Sequence, residues 1–133
     1  MSDTNRSDEL SRIVVDECIR IHRELGPGLL ESVYEVVLAA VLERQGLRVE
    51  CQLPIDIRYN GLTIPAAFRI DLMIDRQLIL EIKSVEALSN LHAKQLLTYL
   101  RLTDQTLGLL LNFSGETMKE GIRRVANNHH PNS

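Results

Sequence analysis

The chain has 133 residues, 44% apolar and 25% charged, which suits one folded domain and argues against a disordered polymer. Trp is absent and aromatics are 4%, so Leu, Ile and Val must build the core, and a protein that stacks bases on rows of aromatic rings is disfavoured. The net charge of −3 disfavours a surface that is basic throughout, so any phosphate contact must come from a local cluster, a partner or a second subunit.

Residues 1–8 read as a disordered polar arm without the apolar core of a signal peptide, and residues 9–126 as a single domain. Leu10, Val14, Cys18, Ile21 and Leu25 recur at steps of three or four, one stripe of an amphipathic helix that Gly26-Pro27-Gly28 stops. A second helix over about 30–45 carries Val33, Val37, Ala40 and Val41, and Gly46 closes it. Leu47, Val49, Cys51 and Leu53 alternate with polar residues, as do Ile55, Ile57 and Tyr59, up to the hairpin signal Asn60-Gly61. A return strand carries Leu62 and Ile64 as far as Pro65.

Two further strands are expected at 67–74 and 78–83. In the first, Phe68, Ile70, Leu72 and Ile74 share a face; in the second, Leu78, Leu80 and Ile82 do. With Asp75, Arg76 and Gln77 as the turn, Ile74 pairs with Leu78 and Asp71 falls across from Glu81. A third helix over 89–102, capped by Ser89 or Asn90, aligns Leu91, Gln95 and Tyr99 beside His92, Leu96 and Leu100. Residues 106–113 form an apolar run fit for a strand covered on both faces, a last helix is expected over 116–126, and 127–133 read as a disordered tail. Cys18 and Cys51 match no zinc spacing and are expected to be buried free thiols; no apolar stretch reaches the roughly 18 residues of a membrane span. A cytoplasmic protein with no membrane partner is therefore expected.

The chemistry concentrates on Asp71, Glu81 and Lys83. Two facing carboxylates make a hard-oxygen site for Mg²⁺ or Mn²⁺, and a neighbouring ammonium orients water or stabilises charge developing on a phosphate. As a bare string, Asp followed by Glu-x-Lys arises by chance in roughly one chain in three; the shared strand face and the following helix make it more specific. A solvated sheet face with an ordinary Lys–Glu pair is the competing reading.

Gly28-Leu29-Leu30-Glu31-Ser32-Val33-Tyr34 resembles the signature of the GxxExxY family, and Asp71-Leu72, Glu81-Ile82-Lys83-Ser84, Gln95 to Leu100 and Gly108 to Phe113 resemble it in the same order, over about residues 8–125. The resemblance implies an α/β (α+β) fold of the PD-(D/E)XK restriction endonuclease-like type, an αβββαβ core whose mixed sheet is flanked by helices. It implies Asp71, Glu81 and the Ile82 backbone carbonyl as metal ligands, Lys83 as the catalytic lysine, Glu31 as the first-helix acid, and Gln95 as a supporting polar residue with Tyr99 one turn further on. Lys94, where members commonly carry an acid, either favours a phosphate contact or faces solvent. The function implied is a Mg²⁺-dependent (or Mn²⁺-dependent) endo- or exonuclease acting on DNA, or on RNA, with a homodimer or a targeting protein as further partners. The alternative is a non-catalytic module that keeps the fold for protein binding or assembly. His92 is expected at the surface or in packing, Arg123-Arg124 to complement a helix dipole, and His129-His130 to sit in the tail.

Overall fold

The computed structural model of the chain describes residues 3–128. Three helices, α1 (Asp3–Leu25), α2 (Glu31–Arg44) and α3 (Asn90–Thr103), flank a mixed sheet of β1 (Val49–Tyr59), β2 (Leu62–Ile74), β3 (Leu78–Lys83), β4 (Leu107–Asn112) and β5 (Ile122–Ala126), in the order β1-β2-β3-β4-β5. Only β3 and β4 run parallel, because α3 carries the chain from one to the other; every other neighbour is antiparallel. The α+β architecture expected from the residue pattern is thus the one observed. Among the described residues, no helix is long and apolar enough to cross a membrane.

One core lies between α1, α2 and the sheet. There Leu10, Val14 and Cys18 meet Leu38, Leu42, Leu72, Leu80 and Leu109. A second core, under α3, gathers Leu96, Leu100, Ile79, Leu110 and Val125. β4 is buried along its whole length because both faces are covered, as its apolar run requires.

Several elements differ from expectation. α1 begins at Asp3, inside the segment expected to be a disordered arm; Arg6 reaches Asp75 at 2.6 Å, so the first turns are tied to the β2–β3 turn. The strands expected at 62–65 and 67–74 are one strand, since Pro65 sits in a bulge. Pairing shifts between Ile55 and Ile57, Ala66 takes φ +48, and its N–H is captured by Asp56 Oδ1 at 2.8 Å. The apolar side of β2 changes at Asp71: Leu72 and Ile74 pack toward α1 and α2, but Phe68 and Ile70 pack toward α3. Cys51 is exposed and Cys18 buried, both free. Asn127, assigned to the tail, donates to the Gln105 carbonyl at 3.1 Å; His129 and His130 lie outside the described residues.

The helix expected over 116–126 is instead a 3₁₀ turn, Lys119–Gly121, followed by β5. β4 needs a partner on its second edge, and β5 supplies it from Leu107↔Ala126 to Leu111↔Ile122. The turn passes so close to β4 that a Cβ on Gly121 would lie 2.0 Å from the Asn112 carbonyl oxygen. Gly121→Ala should therefore destabilise the fold by about 3 kcal/mol, measured by urea unfolding. An unchanged midpoint would show that the turn can move aside.

Candidate active site

The β2–β3 ladder runs Ile74↔Leu78, Met73↔Ile79, Leu72↔Leu80, the register expected from the turn. One step further the strands part, and side chains replace backbone bonding. The Asp71 N–H donates to Glu81 Oε2 at 2.9 Å, and the Ile82 N–H donates to Asp71 Oδ2 at 2.8 Å. Each carboxylate thus holds the other strand's backbone while both side chains are brought together. Since the Ile82 N–H points toward β2, its carbonyl emerges on the same side, where the ladder has ended. The Lys83 carbonyl faces the other way and accepts from the Phe113 N–H at 3.0 Å.

Electrostatics register this crowding. Burial, then the charge of Asp71, push Glu81 up to about 8; the Asp71 N–H and Lys83 oppose the shift. Asp71 is also raised, chiefly by burial, against the Ile82 N–H, the Gln52 amide and Lys83. Lys83, at the end of β3 and half-buried, therefore acts on both acids.

The surrounding residues come from three elements. Glu31, in the first turn of α2, accepts from the Ser84 N–H at 3.0 Å, directly after Lys83, and its charge is felt by Asp71. Tyr99 stacks on Phe68 at 4.2 Å, and its hydroxyl is held above the usual range by burial and by the charges of Glu81 and Asp71. Gln95 is exposed on α3, one turn before Tyr99 on the same stripe. His92 completes a capping box, its Nδ1 accepting from the Ser89 N–H at 3.1 Å.

Two members were not anticipated. Glu35, one turn after Glu31, is raised by burial and by the charges of Asp71 and Glu31. Gln52 sits across from Asp71 in β1 with φ +49, a left-handed conformation inside a strand. Its amide donates to Glu35 Oε1 at 2.9 Å and to Asp71 Oδ1 at 3.3 Å, joining α2 to the acid. The i, i+4 spacing of Glu31 and Glu35 was a usable signal for one; nothing local marks Gln52.

The donor set fits a hard divalent cation: two carboxylates pressed together and an adjacent carbonyl, all oxygen. Among the described residues no group of three His, Cys, Asp or Glu side chains is positioned to hold an ion, so backbone and water would have to complete the shell.

A profile of the PD-(D/E)XK nuclease superfamily matches residues 8–125, nearly the whole chain. The chain belongs to the PD-(D/E)XK nuclease superfamily. Its fold is also similar to that in the crystal structure of SSO0001, with a TM-score of 0.56 and 19% identity, covering 86% of this chain and 66% of that one. Among curated proteins, none matches.

In this PD-(D/E)XK protein the entry to α2 is set by Tyr34. Its hydroxyl donates to the Gly26 carbonyl and accepts from the Leu29 N–H, while its ring stacks on Phe113 at 4.3 Å. Tyr34→Phe should cost about 1–2 kcal/mol in urea unfolding, because two backbone groups lose their partner. A variant as stable as the parent would mean that water replaces the hydroxyl without loss.

Proposed function

We propose that this PD-(D/E)XK protein is a metal-dependent nuclease that hydrolyses phosphodiester bonds in DNA. The observation that carries the reading is the reciprocal hold between Asp71 and Glu81, which fixes a half-buried and a buried acid side by side at the point where the strands open. Asp71, Glu81 and the Ile82 carbonyl would hold Mg²⁺ or Mn²⁺. When bound, the ion supplies Lewis-acid polarisation of the phosphate and lowers the pKa of water.

The chain's own groups do the rest. Lys83 directs its ammonium at the nucleophile and offsets negative charge as it builds on phosphorus. Glu31, anchored through Ser84, fixes the α2 side of the site, and Gln95 faces the substrate from α3 as a polar support. The Tyr34 clamp and the Glu31–Ser84 bond give Glu31 and Tyr34 a physical reason to stand three residues apart, which supports membership of the GxxExxY family. Two free thiols suit a reducing compartment such as the cytoplasm.

Incubation of the purified protein with linear, nicked and single-stranded DNA in Mg²⁺ or Mn²⁺ tests the proposal. Cleavage that disappears with chelator and in acidic-site variants supports it; cleavage indifferent to Asp71 overturns it. The non-catalytic alternative has one observation in its favour: Leu30, which caps α2, and Val36 within it stand 74% and 67% exposed.

A further inference from the structure

We propose that the groove between α3 and β5 is the subsite that holds the phosphate backbone of a DNA strand beside the cleavage point, with Arg123 and Lys94 as its contacts. The inference rests on the nuclease reading and adds the surface on which the substrate lies.

Registry places Arg123 on the reacting side of the sheet. Glu81 pairs with Leu110, and Leu110 pairs with Arg123, so the three lie in one row across β3, β4 and β5. Leu110 and Val125 pack in the core under α3, and Arg123 shares their face because side chains alternate along a strand. Two strand spacings put its backbone roughly 10 Å from that of Glu81.

Its neighbour behaves differently. Arg124 points to the opposite face, where Asp8 of α1 neutralises it at 2.7 Å. Among the described residues Arg123 has no such ion pair; both terminal nitrogens stand 3.5 Å from the amide oxygen of Asn90. That contact is long, and the guanidinium keeps donors in the forked arrangement that fits a phosphate.

The groove itself is built for a strand of alternating charge and sugar. Ala93, Leu97 and Val125 give an apolar floor, Asn90, Lys94, Arg123 and Arg124 a polar rim, around a volume of about 330 Å³. Residues 90, 93, 94 and 97 form one stripe of α3, and Gln95 and Tyr99, on the side of Glu81 and Asp71, form the stripe next to it. Glu31, Glu35, Asp71 and Glu81 repel a polyanion, and the chain carries a net charge of −3. Local cations beside the acids are what bring phosphates in. Arg123 also borders a cleft containing Glu86 and Glu120, yet neither pairs with it among the described residues.

The test is fluorescence anisotropy with labelled single-stranded and duplex DNA oligonucleotides, with Ca²⁺ replacing Mg²⁺, over a range of salt. Arg123→Ala and Lys94→Ala should each weaken binding about five- to tenfold, and together flatten the salt dependence by about two in log–log slope. Arg20→Ala, the same charge change on α1, should leave both unchanged. Lys94 is exposed, so its variant carries the test if Arg123→Ala melts early. A double variant that binds as the parent does, or an equal loss in Arg20→Ala, overturns the subsite. If the parent cleaves DNA in Mg²⁺ while these variants bind normally, the subsite fails and the nuclease reading survives. If the parent neither binds nor cleaves DNA, both fail.

Discussion

Asp71→Asn and Lys83→Ala are each expected to lower DNA cleavage at saturating Mg²⁺ by about a thousandfold or more. The two substitutions act on different parts of the same event. Asn at position 71 retains an oxygen that can accept from the Ile82 N–H, so the strand opening survives while the ligand charge is lost. Lys83 is half-buried at the end of β3, and its loss leaves two acids facing the phosphate without a compensating cation. Asp71→Asn should also weaken Mn²⁺ binding, and Lys83→Ala should not. Rates within tenfold of the parent in either variant, with cleavage still metal-dependent, would remove that residue from the chemistry.

Glu81→Gln is expected to stabilise the metal-free protein at alkaline pH by several degrees in melting temperature. The sign follows from proton linkage. Glu81 titrates at about 8 in the fold against 4.5 in an open chain, so the folded state holds the proton more tightly. Its contribution is fully present below 4.5, is lost as pH rises toward 8, and stays lost above that value. Asp71 is shifted in the same direction. Gln keeps an acceptor for the Asp71 N–H and cannot ionise, so the gap between variant and parent should open across that window. Mg²⁺ should close the gap by stabilising the parent, because a cation relieves the same repulsion. Melting curves in chelator and in Mg²⁺ across the pH range check this, and a gap independent of pH would refute it.

How far these acids could be anticipated depends on the range of the interactions that place them. Asp71 and Glu81 were legible because a three-residue turn and two alternating strands fix their register within a short stretch of chain. The same logic failed for Phe68 and Ile70. β2 leaves β3 at Asp71, and the part paired only with β1 turns its apolar side toward α3. β5 was hidden for a related reason: Ile122 to Ala126 have no strong local preference for a strand, and the open edge of β4 decides their state. Arg6 likewise becomes ordered through Asp75, far along the chain. Gln52 is the clearest case. Its position opposite Asp71 and its left-handed backbone depend on pairing that spans β1 and β2, and no neighbour in sequence signals either. Glu35 could have been drawn in from its spacing to Glu31, but its approach to Asp71 requires the packing of α2 on the sheet.

Crystals soaked in Mn²⁺ and measured at a wavelength where manganese scatters anomalously put the central claim to its most direct test. A single strong peak in contact with the carboxylates of Asp71 and Glu81 and with the Ile82 carbonyl is the predicted result, together with its loss in Asp71→Asn. Density that stays empty there while the parent crystal holds ions elsewhere would contradict it.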